Sequence, residues 1–193
     1  RGNFFNSVLA ADASLRSAAM GRQVGAALIP TLGTPVVVGT NEVPKPGGGQ
    51  FWTTDIPDYR DFQTGEDPNP LYTRRVLEEV LERLAANGWL VEEYQRMPGA
   101  ELYARAVKSS NGEPSVLKGA RAASLIEFTR CLHAEQAAII NAARAGVSTQ
   151  GAVLFTTTFP CHECAKMIVG AGIVEVIYIE PYPKSLVSRL YRD

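Results

Sequence analysis

Two short clusters of metal-capable side chains constrain this 193-residue chain more than anything else in it. His133-Ala134-Glu135 opens one apolar stretch, and Pro160-Cys161-His162-Glu163-Cys164 opens a second, with an apolar run, Val153–Thr156, between them. Each stretch has the periodicity of a helix, so the clusters can act together only in a fold that brings two helix starts to one place. Taken singly they are ambiguous. His133 and Glu135 suit an ordinary helix, and Cys161 with Cys164 suits a redox pair or half of a structural zinc site.

Their spacing makes joint chemical sense. Cys161 and Cys164 are i and i+3, so both sulfurs point to one side of the helix. They lie in its first turn, where the macrodipole and unpaired N–H groups favour thiolates. His133 can supply a third ligand. One imidazole and two thiolates leave the fourth tetrahedral position to water, the arrangement of a catalytic zinc. A structural site fills that position, and Cys131 and His162 are the remaining Cys and His of the chain. His162 is expected to point away, because neighbours of both cysteines on the helix diverge from the metal. Glu135 can sit beside the water without ligating the metal and carry protons, although a helix-start carboxylate is also favoured by the dipole alone. H-x-E followed by P-C-x-x-C is the signature of zinc nucleobase deaminases, which places deamination ahead of a structural or redox site.

Length is that of one domain, or of one domain carrying a large insertion. A chain of this size buries roughly 70% of its unfolded surface, enough for a real core. With 46% hydrophobic and 20% charged residues and a formal net charge of −1, the composition is globular and argues against indiscriminate polyanion binding. No stretch approaches the length of a membrane span, since even Met167–Ile179 is interrupted by Glu175. Three cysteines cannot form a disulfide framework without one left over, which suits a cytoplasmic chain using thiols for metal or redox chemistry. The start at Arg1, with no charged-then-apolar leader, reads as a fragment of a longer or processed chain.

Along the chain, Ser7–Ala18 has helical spacing, and Val24–Ile29 with Pro35–Gly39 reads as a hairpin of buried strands. Residues 51–108 carry 11 acidic and 7 basic side chains, leaving 9 and 12 for the rest, so an acidic, partly helical insertion is expected at about 51–115 of a single domain. Inside it, Asn69 can cap a helix with Pro70 in the first turn, Gly88 past the end, and Leu71, Val76, Leu77, Val80, Leu81 and Leu84 as its stripe. Ser109–Pro114 reads as a loop and Val116–Leu132 as largely helical. From His133 the order is helix (His133–Gly146, apolar nearly all round and so buried), strand (Val153–Thr156), helix (Cys161–Gly170) and strand (Val174–Ile179). That alternation implies a layered α/β sheet.

Phe128-Thr129-Arg130-Cys131-Leu132-His133-Ala134-Glu135 and Thr156-Thr157-Thr158-Phe159-Pro160-Cys161-His162-Glu163-Cys164-Ala165-Lys166 resemble the cytidine/deoxycytidylate deaminase superfamily. Asn41-Glu42-Val43-Pro44-Lys45, Tyr59-Arg60-Asp61-Phe62 and Glu180-Pro181-Tyr182-Pro183-Lys184-Ser185 resemble its bacterial anti-phage members, which act on dCTP, dCMP or both. The resemblance implies a three-layer α/β/α fold with a five-stranded mixed sheet, a Zn2+ ion between two helix starts, and homo-oligomers, commonly hexamers. It implies Asn41 on the sugar and Thr158 and Phe159 near the base, with Lys45 and Lys184 as phosphate partners. Plain alternatives are a turn asparagine, a core phenylalanine and two surface lysines. The chain departs from that group in having no G-x-x-x-x-G-K-[ST] loop and in stopping soon after the fourth strand, where relatives continue through a further helix. Two other readings remain at this point: a cytosine or adenine deaminase of single-stranded DNA or tRNA, which needs a basic, aromatic-lined groove, and a non-catalytic zinc-stabilised assembly domain.

Overall fold

The computed structural model describes residues 2–109, 112 and 114–191. In chain order its elements are α1 (Gly2–Ser14), β1 (Gly25–Ile29), β2 (Val37–Thr40), a single-turn α2 (Asp61–Thr64), α3 (Pro68–Ala86), α4 (Gly99–Val107), α5 (Ala134–Ala145), β3 (Val153–Thr158), α6 (His162–Gly170), β4 (Glu175–Glu180) and a short α7 (Val187–Leu190). They divide into two units, Arg1–Glu66 with Arg130–Asp193, and Asp67–Thr129.

In the first unit the strand order is β2-β1-β3-β4. β1 runs antiparallel to both neighbours, with Ala26 opposite Gly39 on one side and Thr156 on the other. β4 runs parallel to β3, with Leu154 opposite Val176, as two strands joined by a crossover helix must. The sheet is mixed, as expected, but has four strands among the described residues where five were expected. Pro181 and Pro183 follow β4 without N–H donors, and the chain turns into α7 instead of pairing again.

Two glycines show how closely helices cover the sheet. A Cβ on Gly25 would collide with the Ala10 carbonyl of α1. One on Gly39 would collide with the Ala134 carbonyl and the Ala138 N–H of α5, and would stand 2.9 Å from the Ala138 Cα. Gly39 pairs with Ala26, the neighbour of Gly25, and successive strand residues face opposite ways, so α1 and α5 lie on opposite faces. With α6 packed beside α5, this is the three-layer α/β/α arrangement. The α1 side is filled by Ala10, Ala27 and Phe155, with Leu9, Ile29, Val36, Val153 and Ile177 around them.

Several expectations are corrected by the packing. α1 starts and ends earlier than Ser7–Ala18, because the Ser17 hydroxyl leaves the helix direction to donate to the Asn41 carbonyl at 2.8 Å. α5 is buried along Ala134, Glu135, Ala137, Ala138 and Ala142 but exposed at Ala143–Ala145, since only one side of it meets the sheet. β3 continues past Thr156 to Thr158 on its pairing with β4.

The second unit is helical. Asp67, not Asn69, caps α3, accepting the Asn69 N–H at 2.9 Å. The Asn69 amide turns elsewhere, donating to the Leu125 carbonyl at 2.8 Å and accepting the Phe128 N–H at 3.2 Å. Of the expected stripe, Leu77 is buried while Leu71, Val76 and Val80 are exposed. α4 approaches α3 at Gly99, where a Cβ would collide with the Glu78 carbonyl. Val116–Leu132 is not largely helical. It holds one 3-10 turn, Arg121–Ser124, between Gly119 at φ +77° and an extended Leu125. A run of alanines cannot carry a helix across a residue held in the left-handed region. The loop Ser109–Pro114 includes residues 110, 111 and 113, which lie outside the described residues. No helix among the described residues is long and apolar enough to cross a membrane.

Gly39→Ala should therefore prise α5 from the sheet. Overpacking of a close backbone contact costs about 1–3 kcal/mol, and the melting temperature read by circular dichroism should fall by about 5 °C. An unchanged melting temperature would show that α5 can move aside without loss.

Candidate metal centre

The first turns of α5 and α6 converge. His133 is the residue before α5, and its extended backbone aims the imidazole across to α6. The Gln136 side-chain Oε1 accepts the His133 N–H at 3.0 Å, fixing that start. Just upstream, the Leu132 N–H donates to the Glu42 carbonyl at 3.1 Å in an isolated bridge, so the segment after β2 holds the chain as it enters the site. Glu42 is itself fully buried. Its carboxylate accepts the N–H groups of Ala18 at 3.0 Å and Val43 at 2.9 Å, which ties the turn after α1 into the same corner. Cys161 caps α6, its sulfur accepting the Cys164 N–H at 3.4 Å.

The His133 Nδ1 stands 3.2 Å from the Cys164 sulfur and 3.3 Å from the Cys161 sulfur. All three donor atoms lie within 4.8 Å of one another. A tetrahedral zinc with ordinary Zn–N and Zn–S bonds puts such atoms about 3.5–3.8 Å apart, so the set fits Zn2+ after an adjustment of a few tenths of an ångström. It is the one group of three or more potential ligands among the described residues. Cys131 is not part of it; its thiol points to the Asp61 carboxylate at 3.6 Å. Three protein donors are what a catalytic zinc uses.

The electrostatics favour a cation. The hydrogen bond from Cys164 holds the Cys161 thiol down to about 4, and the same bond with burial pushes Cys164 far up. Without a cation, two adjacent buried sulfurs share one proton. Glu135 is 4% exposed and interacts with the Cys164 thiol. Burial pushes its carboxyl up, with its own N–H and the His133 charge pulling the other way. A carboxyl whose charged form is disfavoured by burial suits proton transfer.

A family model for the cytidine and deoxycytidylate deaminase zinc-binding region matches residues 3–180. The chain belongs to this family. Among curated relatives of this deaminase-family chain, the deoxycytidylate deaminase of Enterobacteria phage T2 is 46% identical over 54 residues, 28% of this chain and 29% of that protein. ComE operon protein 2 of Bacillus subtilis is 45% identical over 53 residues, 28% of each chain. The matched stretch thus spans under a third of these relatives' length. In fold, the chain is similar to the dCMP deaminase of cyanophage S-TIM5, crystallised with dCMP and dUMP, at a TM-score of 0.51 and 18% identity over 98% of this chain and 88% of that one.

The expected substrate-side residues are placed as follows. Asn41 follows β2, and its amide is engaged: Oδ1 accepts the Val24 N–H at 2.6 Å and Nδ2 donates to the Arg22 carbonyl at 2.9 Å. One amide hydrogen and one lone pair remain for a ligand. Thr158 is buried at the end of β3, with its hydroxyl 3.3 Å from the Arg22 Nη1. Phe159 is half-buried edge-to-face on Tyr178, and its N–H donates to the Glu180 carbonyl at 2.8 Å. Lys45 pairs with Asp55 at 2.7 Å, and Lys184 is exposed. Two further residues stand at this end of the sheet, Arg22 and Tyr182, the latter close enough to feel the charges of both Cys161 and Arg22. Tyr182 stood in a motif of the resemblance, but Arg22 lies in a stretch with no periodicity.

Zinc loading should be coupled to proton release. Cys161 is already a thiolate at neutral pH and Cys164 is not, so binding expels at least one proton. Zinc affinity, measured by competition with a chelator, should rise at least about tenfold per pH unit between pH 6 and 8. A flat profile would mean that the sulfurs are not the ligands, as would full zinc retention by a Cys161→Ala, Cys164→Ala double variant.

Proposed function

We propose that this chain hydrolytically deaminates a free deoxycytidine nucleotide, dCTP and/or dCMP, to the deoxyuridine nucleotide and ammonia. The observation that carries the reading is a buried carboxylate, Glu135, beside a three-donor group with the geometry of a catalytic zinc. Family membership and relatives named deoxycytidylate deaminase support the choice of base and sugar. His133, Cys161 and Cys164 would hold the zinc, which when bound supplies water acidified enough to attack C4 of cytosine at neutral pH. Glu135 accepts the proton of that water on its carboxylate and delivers it to N3 of the ring. The same carboxylate then takes the second proton from the new C4 hydroxyl and passes it to the amino group, which leaves as ammonia as the C4–N bond breaks and the C4 carbonyl forms. Burial keeps bulk water from competing for these protons.

Asn41 would present its remaining amide hydrogen or lone pair to the sugar, with Thr158 and Phe159 near the base and Lys45 and Lys184 as candidate phosphate partners. The wider reading is a cytoplasmic homo-oligomer, of hexameric order, that drains the deoxycytidine pool in anti-phage defence. The acidic helical unit would be an insertion in one deaminase domain. The sequence resemblance supports these parts.

Glu135→Gln should keep the zinc and the fold yet lose turnover by about 10³–10⁴-fold, the upper range for a general acid–base, because one carboxylate handles every transfer. Ammonia release from dCMP, dCTP, CMP, CTP and a cytosine oligonucleotide reads the substrate directly. Faster deamination of the oligonucleotide than of dCMP and dCTP would overturn the choice of free nucleotide.

Asn41→Ala should lower kcat/KM by about a hundredfold through lost sugar contact. It should also lower the melting temperature, since the Val24 and Arg22 backbone groups lose their partner. A lower melting temperature with unchanged kcat/KM would leave Asn41 a purely structural residue.

A further inference from the structure

Arg22 sits between α1 and β1, where its backbone carbonyl is held by the Asn41 amide at 2.9 Å. Its side chain reaches the ends of β3 and β4: Nη1 stands 3.3 Å from the Thr158 hydroxyl and 3.3 Å from the Glu180 carboxylate. One arginine thus joins the residue after β2, the end of β3 and the end of β4. These are the three strand ends that surround the expected sugar and base contacts. The bonds to Thr158 and Glu180 are long and fall on the same nitrogen, and about half of the side chain is exposed.

The other candidate cations are placed less well. Lys45 is committed to Asp55 at 2.7 Å, and Lys184 points into solvent on the chain beyond β4. Arg22 has a weak partner by comparison, since Glu180 is 64% exposed. An exposed ion pair of this kind contributes little. A phosphate offers a guanidinium a bidentate, doubly charged partner and competes well with such a carboxylate.

We propose that Arg22 grips the 5′-phosphate of the nucleotide, exchanging its resting Glu180 carboxylate for the phosphate oxygens. The inference rests on the nucleotide-deaminase reading above. It makes the Arg22–Glu180 pair a selectivity device: a nucleoside has nothing to displace the carboxylate, whereas a nucleotide does. Glu180 acts against the phosphate by repulsion and so sets how tightly the nucleotide is held. The Thr158 hydroxyl and the Asn41 amide position the arginine at its two ends, which couples phosphate grip to the sugar and base contacts.

The test is calorimetric binding of dUMP and of deoxyuridine to the zinc-loaded chain, with melting temperature and zinc content measured alongside. Arg22→Gln should weaken dUMP by at least about tenfold, as loss of a charge-assisted bidentate bond does, and should lower the dUMP-to-deoxyuridine affinity ratio by a similar factor. Arg22→Lys should fall between, keeping the charge and losing the fork. Glu180→Gln should move the other way and tighten dUMP. The proposal is overturned if Arg22→Gln leaves dUMP binding unchanged or weakens both ligands equally, as a mere loop anchor would. It is also overturned if Glu180→Gln loosens dUMP. Should Arg22→Gln fail to fold, Arg22→Lys and Glu180→Gln decide the matter with opposite signs. A wild-type chain that binds neither ligand would overturn the nucleotide-deaminase reading itself, which separates that failure from the failure of Arg22 alone.

Discussion

The contact on which the rest depends is the meeting of two helix starts, with one imidazole nitrogen within 3.3 Å of two sulfurs. Neither helix could hold it alone. α5 reaches its place because Gly39 lets its backbone lie directly on β2, and α6 reaches its place as the crossover between β3 and β4. The bridge from Leu132 to Glu42 then sets the entry to His133. Glu42 is a fully buried carboxylate whose oxygens accept two backbone N–H groups, so it serves as a staple linking the turn after α1 to the strand end beside it.

Charge explains why the corner is built this way. Two sulfurs and a carboxylate in a buried space repel one another unless a cation or protons are shared among them. Helix N-termini offset part of this through their free N–H groups, and the Cys161 sulfur accepts one of them from Cys164. A divalent ion held by His133, Cys161 and Cys164 would supply the remainder. The ends of the sheet carry a more open pair of charges, Arg22 and Glu180.

Much of the fold was legible because its signals were strong. Buried strands of apolar residues, helix starts marked by chemistry, and alternation after His133 led to a layered sheet with helices on its faces. The misreadings have one physical origin: local pattern was overruled by longer-range bonds. Val116–Leu132 contains good helix formers, yet Gly119 takes a left-handed conformation and Leu132 is drawn into a bridge with a residue 90 positions away. Asn69 is a good cap by type, but its amide is spent on Leu125 and Phe128, and Asp67 caps in its place. Leu71, Val76 and Val80 follow helical spacing without being buried, because spacing says which residues share a face and not what covers it.

By itself, the sequence singled out His133, Cys161 and Cys164 as candidate metal donors and Glu135 as the candidate proton carrier. Their residue types and their i, i+2 and i, i+3 spacings are local properties, and chemistry leaves few uses for such a set. Only the tertiary structure decided what surrounds them. The Asn41 amide holds the backbone of residues 22–24, a contact that no local pattern showed. Arg22 had no pattern to mark it, and its place opposite Thr158 and Glu180 exists only because three strand ends, far apart in the chain, lie side by side in one sheet.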